Sequence, residues 1–211
     1  MNADRIATSY RWIEYAAFGL TLERARFDFL EHARAARRVL ILGEGDGRFL
    51  ARLIERNPHA QIAVVESSAR MIQLARQRVP VSAASRVEFH RIDATGEPLP
   101  AGPFDLAVTH FFLDVFTPSD AEAVICKVSA LLSPGAAWLV SEFQEPHGKV
   151  RSLYARLGLT AMYAFFRVST GLRARNLPPY RDVLERCGLT EIDYRERRFG
   201  LIRSQLWRKR V

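Results

Sequence analysis

Val39-Leu40-Ile41-Leu42-Gly43-Glu44-Gly45-Asp46-Gly47-Arg48-Phe49-Leu50 is the stretch on which the reading of this chain turns. Four consecutive apolar residues predict a strand buried on both faces, as in a parallel sheet. Three alternate glycines then predict a loop where backbone turns sharply and approaches a ligand closely. A helix follows over residues 48–56, stopped by Asn57-Pro58. The glycine spacing discriminates between ligands. A dinucleotide loop needs a third glycine three residues after the second, where this chain has Arg48 or Leu50. The G-x-x-x-x-G-K-[ST] loop of nucleoside triphosphate sites is also absent.

Outward from this unit, short apolar runs alternate with helical stretches. Residues 62–65 read as the second strand, ending at Glu66. Ser67 or Ser68 is placed to cap a helix that runs to Arg78, before Pro80. Residues 87–90 and 105–109 read as strands three and four. Ser119 with Glu122 forms a capping box for a helix to Leu132, stopped by Ser133-Pro134-Gly135. Residues 136–142 are the fifth strand. A short helix over 180–187 and two strands, 189–195 and 199–207, end the pattern as a hairpin. The expected fold is α/β: a Rossmann-like, doubly wound, mostly parallel seven-stranded sheet with a terminal antiparallel strand. Residues 1–37 form a helical N-terminal extension, with helices over 4–18 and 21–37 broken at Gly19. Residues 147–175, rich in Leu, Tyr, Phe and Arg, form a helical insertion after strand five. The whole of 1–211 reads as one domain.

Composition narrows the function class. The chain of 211 residues is 48% hydrophobic and 26% charged, which is ordinary globular composition. It has no apolar run long enough to span a membrane and no signal-peptide pattern at its N-terminus, so a cytoplasmic protein is expected. Cys126 and Cys187 have neither metal-site nor redox-pair spacing and read as buried reduced thiols; no metal is expected. The net charge of +8 is spread through arginines interleaved with acids, as in Glu23-Arg24-Ala25-Arg26. That pattern reads as solvated faces rather than a nucleic-acid stripe.

The glycine loop resembles that of the class I S-adenosylmethionine (SAM)-dependent methyltransferases, which carry Gly-x-Gly-x-Gly after strand one. Three later motifs agree in order: Glu66 at the end of strand two, Asp93 in FHRIDAT after strand three, and LLSPGAAWLVSE over residues 131–142. The resemblance covers about residues 37–145. It implies SAM as cofactor and S-adenosylhomocysteine (SAH) as product. It places Gly43, Glu44, Gly45 and Gly47 around the cofactor, and Glu66 on the ribose hydroxyls with Ser67 beside it. Asp93 and the Ala94 N–H would read the adenine, Met71 would pack on it, and Thr109 would close the site from strand four. One position departs from the pattern: the acid usual two residues before the first glycine is Ile41 here. Glu44 or Asp46 is placed to compensate, or is simply solvated. The C-terminal string RNLPPYRDVLERCGLTEIDYRERRFGL resembles the end of the ubiquinone/menaquinone-biosynthesis C-methyltransferases and their small-molecule relatives.

Methyl transfer is an in-line displacement, so the protein's task is alignment and exclusion of water. THFFLDVF, after strand four, supplies candidates for a base: His110, with Asp114 either orienting it or acting itself. An alternative role for His110 is a hydrogen-bonded pocket wall. Phe111 and Phe112 are either acceptor wall or core. Tyr10, Trp12, Tyr15 and Phe18, with Tyr154 and Phe165 of the insertion, would form a lid. The basic amphipathic insertion also leaves peripheral membrane contact open. The expected function is methyl transfer to a small, aromatic or lipophilic acceptor. The rivals are an RNA methyltransferase and a SAM-binding protein that transfers nothing.

Overall fold

The computed structural model describes residues 18–144 and 177–211. The N-terminal residues before Phe18 and the expected insertion over 147–175, with its lid residues Tyr154 and Phe165, lie outside the described residues. Seven strands form one sheet: β1 (Arg38–Leu42), β2 (Gln61–Val65), β3 (Val87–His90), β4 (Phe104–His110), β5 (Leu132–Phe143), β6 (Leu189–Arg197) and β7 (Ile202–Lys209). Their order is β3-β2-β1-β4-β5-β7-β6. β1 to β5 are mutually parallel, and β7 runs antiparallel to both β5 and β6.

The unbroken apolar runs are explained by two cores, one on each face. Alternate residues divide between them, because successive side chains of a strand point to opposite faces. Leu40, Leu42, Val65 and Trp138 pack under α4 (Pro118–Ala130) and α5 (Tyr180–Arg186). Val39, Ile41, Ile62 and Val108 pack under α2 (Arg48–Arg56), through Phe49, Leu50 and Leu53. In β1 only the first residue, Arg38, is exposed.

Several boundaries differ from expectation for identifiable reasons. The helix expected over 21–37 is a short α1 (Thr21–Arg26) followed by a 3-10 turn at Leu30–Ala33. Between them Asp28, 4% exposed, turns to the guanidinium groups of Arg195 and Arg197 on β6, which draws the chain out of helical geometry. Before α4 the cap is Thr117, not Ser119: its hydroxyl accepts from the Asp120 N–H at 3.3 Å, and Pro118 occupies the first helical position. Ser68 rather than Ser67 caps α3 (Ala69–Arg76), accepting from the Met71 N–H at 3.1 Å. β5 begins at Leu132 and absorbs Ser133-Pro134-Gly135 through a register shift against β4. The last strand begins at Ile202, because Arg198, Phe199 and Gly200 all have positive φ and make the hairpin turn. Phe199 is 80% exposed there. Cys126 is exposed and Cys187 half-buried, so neither is a core thiol.

The chain builds outward from β1 to β3, then crosses to β4 on the other side of β1. The switch point lies between the carboxyl ends of β1 and β4, where the glycine loop emerges. Gly47 sits at the start of α2 with φ +87°, and a Cβ there would lie 2.6 Å from the Ala75 Cα of α3. Its role is close packing of two helices. Gly47→Ala is therefore expected to cost at least ~2 kcal/mol of stability, read by urea denaturation, through both backbone strain and collision. A variant as stable as the parent would contradict that role.

Candidate functional site

A cavity of about 280 Å³ opens at the switch point. The loop after β1 supplies Gly43, Glu44, Gly45 and Asp46 to its lining. Glu66, Ser67 and Met71 come from the end of β2 and from α3; Asp93, Ala94 and Thr95 follow β3. His110, Phe111, Phe112 and Phe116 follow β4, and Arg26 reaches in from α1. Residues distant in sequence meet here because parallel strands bring all their carboxyl ends to one edge.

The acids at the β2 and β3 end are held and aimed by hydrogen bonds. Glu66 accepts the Gly45 N–H at 3.3 Å on one carboxylate oxygen and the Ser68 N–H at 2.9 Å on the other. Asp93 accepts the Thr95 hydroxyl at 2.6 Å and the Thr95 N–H at 3.0 Å. These bonds favour its charged form and hold it below the ordinary carboxylate range. Gly45 has φ +68°, with nothing within 4 Å of where a Cβ would stand. Gly43 has φ +67°, and a Cβ there would meet the Phe112 ring at 2.3 Å. The loops after β1 and β4 thus close on each other.

At the other end the charges are desolvated. Glu44 accepts the Leu50 N–H at 2.9 Å, holding the first turn of α2. Burial pushes its carboxyl up to about 8, against the lowering effects of that N–H and of Arg26. Asp46 is committed elsewhere, to Arg48 at 2.8 Å and Arg78 at 3.0 Å. The Arg26 guanidinium lies over the Phe111 ring, 5.1 Å from its centroid. His110 packs against the Phe49 ring at 4.7 Å. Burial, with Arg26 nearby, pushes its imidazole down to about 3, so it stands neutral and weakly basic.

Not every expected residue faces the cavity. Gly47 and Thr109 are outside its lining. Thr109 is buried, and its hydroxyl accepts the Trp138 indole N–H at 3.0 Å. Asp114 is likewise absent from the lining and is buried. Instead it hydrogen-bonds Glu142 at the end of β5. Glu142 is fully buried and accepts three consecutive backbone N–H groups: Phe112 at 3.1 Å, Leu113 at 2.9 Å and Asp114 at 3.3 Å. Two carboxyl groups so close cannot both ionise, and the pair retains a proton. Burial pushes Asp114 up to about 7 and Glu142 well above its ordinary value. The sequence reading missed Glu142, Phe116 and Arg26. An acid ending an otherwise apolar strand was the signal for the first, whereas Arg26 was indistinguishable from the solvated arginines around it.

This buried pair has a pH consequence. A carboxyl whose folded pKa exceeds its unfolded value stabilises the fold below the unfolded value, and loses that contribution as pH rises through the folded one. For Asp114 the window runs from its ordinary 3.8 to about 7. Asn at this position reproduces the protonated partner of Glu142 at every pH. Asp114→Asn should therefore melt with a flatter pH dependence than the parent between about pH 4 and 7, checked by thermal denaturation across that range. Parallel curves would show that the pair does not share a proton.

Residues 39–135 match the family described as Methyltransferase domain. The ubiquinone/menaquinone biosynthesis C-methyltransferase UbiE of Pseudomonas putida is 31% identical over 127 residues, which cover 58% of this chain and 48% of that protein. The demethylmenaquinone methyltransferase of Deinococcus radiodurans is 31% identical over 114 residues, 54% of this chain and 46% of that one. The chain thus spans about half the length of the curated relatives it matches. Among solved structures, an O-methyltransferase family protein of Burkholderia thailandensis superposes with TM-score 0.71 at 18% identity, over 97% of this chain and 59% of its own. The N-methyltransferase NodS of Bradyrhizobium japonicum, solved with SAH, superposes with TM-score 0.67 at 18% identity, over 98% and 99%. Those structural likenesses show the fold. Over residues 39–135, which carry β1 to β4 and most of the loops around the cavity, the chain is similar to that family of methyltransferase domains.

Proposed function

We propose that this chain transfers the methyl group of SAM to a small acceptor with an aromatic or lipophilic body. The observation that carries the reading is a single cavity with two unlike ends: Gly45, Glu66 and Asp93 at one, and the Phe111, Phe112 and Phe116 rings at the other. The first end suits adenosine. Ribose hydroxyls are donors, and Glu66 keeps lone pairs beyond the two N–H groups that aim it. Ionised Asp93 suits an exocyclic amine, and Met71 and Ala94 offer apolar surface to a purine. The open space beside Gly45 admits a ligand where a side chain would intrude.

Bound SAM supplies an electrophilic methyl group on sulfonium. The chain's residues align it with the acceptor and exclude water. The aromatic wall serves both ends of that task, since ring faces accept a neighbouring cation and shed water. His110 works here as a neutral polar group in the wall, because a base held near 3 takes few protons at neutrality. The favoured acceptors accordingly carry a nucleophile that needs no strong base, such as an acidic phenol or enol. The quinone-related names of the two curated relatives fit such a ring.

A second reading, SAM binding without transfer, is favoured by that same weak His110 and by the [4+2]-cyclase SpnF, whose fold superposes with TM-score 0.62 at 20% identity. SAH release over a panel of phenolic and quinol acceptors separates the two. Product formation with at least one of them is expected, and SAM binding without any turnover would favour the second reading.

Glu66→Ala should weaken SAM by about 1.5–3 kcal/mol in calorimetry, the scale of hydrogen bonds to a charged acceptor. An unchanged dissociation constant would remove Glu66 from the site. With an acceptor in hand, His110→Gln should slow turnover less than about 100-fold, below the range typical of a lost general base. A larger loss, with a pH limb near 6.5 in the parent alone, would restore His110 as the base.

A further inference from the structure

The spacing of Cys126 and Cys187 in the sequence makes no redox motif, yet the fold brings them together. Glu122, Cys126 and Ser129 recur at i, i+4 and i+7 along α4 and so share one helix face. Both ends of that stripe meet the end of α5. Glu122 accepts from the Arg186 guanidinium at 2.8 Å, and the Ser129 hydroxyl donates to the Cys187 carbonyl at 2.7 Å. Cys126 lies between these two contacts, and its thiol meets the Cys187 thiol side chain to side chain. Cys187 is held from a third side as well. The Lys209 ammonium, at the end of β7, donates to its carbonyl at 2.8 Å and to the Ser129 hydroxyl at 2.6 Å. Cys126 is exposed and Cys187 half-buried, so a small oxidant reaches the pair from solvent. Neither cysteine lines the cavity.

We propose that Cys126 and Cys187 are an oxidation site, at which hydrogen peroxide joins them as a disulfide that staples α4 to the end of α5 without displacing either helix. The exposed Cys126 sulfur attacks a peroxide oxygen, the O–O bond breaks, one water leaves, and Cys126 becomes a sulfenic acid. The Cys187 sulfur then attacks the Cys126 sulfur. The S–O bond breaks, and the departing hydroxyl takes the Cys187 proton away as a second water. Two thiols have lost two electrons and two protons, and the peroxide has been reduced to two waters.

The surroundings set the order of attack. Burial, with the Cys126 thiol beside it, pushes the Cys187 thiol up to about 12, so Cys187 does not lead. The part owed to Cys126 goes once that sulfur is oxidised, and the Lys209 charge remains to favour the Cys187 thiolate. The new bond closes a loop of about 60 residues that contains β5, and a link across such a loop restricts the unfolded chain strongly. Oxidising conditions are thereby registered as added stability of the fold, independently of what the cavity binds.

The test treats the full chain with hydrogen peroxide and counts its thiols after denaturation. Both cysteines should be free before treatment and neither after it, with both recovered on adding dithiothreitol. Peptide mapping without reductant should find Cys126 joined to Cys187 within one chain. The oxidised chain should melt at least ~4 °C above the reduced one. Cys187→Ser should stop at a Cys126 sulfenic acid, trapped by dimedone, and Cys126→Ser should lose its remaining thiol at least about tenfold more slowly than Cys187→Ser loses its own. Sulfinic acid without a crosslink, a disulfide formed only between two chains, or an oxidised melting temperature at or below the reduced one would overturn the proposal. Equal rates in the two variants would overturn the order of attack. Mapping and melting use the parent chain, so they decide the matter even where a variant fails to fold.

Discussion

Parallel pairing of β1 with both β2 and β4 is the constraint on which the rest depends. With both faces of the central strands covered by helices and side chains, only the strand ends remain open to a ligand. The loops after β1 and β4 leave the sheet side by side, and the Phe112 ring fills the space that a side chain on Gly43 would need. The cavity is therefore a product of the sheet's connectivity, and its walls are loops whose roots are fixed by neighbouring strands.

Five carboxyl groups around this edge show how surroundings set the state of an acid. Glu66 and Asp93 line the cavity and are met by N–H and hydroxyl donors, which hold Asp93 below the ordinary carboxylate range. Glu44 has one strong backbone donor against heavy burial, and Asp114 and Glu142 have each other. The same residue types thus become hydrogen-bonded acids on the cavity wall, an acid pushed up to about 8 and a buried structural pair. Burial and a neighbouring carboxyl decide, since Glu142 meets three N–H groups and still stands well above its ordinary value.

Much of the fold was legible because its signals are local. The unbroken apolar run at 39–42 could only be a doubly covered strand, and the helix over 48–56 was read to the residue. What escaped depended on contacts far along the chain. Asp28 ends its helix for Arg195 and Arg197, well over a hundred positions away. Thr117 was passed over as a cap because Pro118 after it hides the helical pattern at that point. In the site, Gly43, Glu44, Gly45, Glu66, Ser67, Met71, Asp93 and Ala94 could be placed from spacing and resemblance and line one cavity, whereas Gly47 and Thr109 do not. Arg26 could not, since nothing in Glu23-Arg24-Ala25-Arg26 says which arginine turns inward. Nor could Asp114 be paired with Glu142, since only three dimensions bring the two carboxyl groups together.

The three N–H groups gathered by Glu142 tie the loop after β4 to the last turn of a different strand. Loops that wall a pocket are usually the exchangeable parts of an α/β protein, free to vary while the scaffold stays. Here the wall and one scaffold position form a single inheritable unit. A loop of different length or backbone path would strand a buried carboxylate, and a change at position 142 would release the aromatic wall. Diversification of this cavity, or its redesign, must therefore proceed by paired exchange of the 111–115 loop and the end of β5.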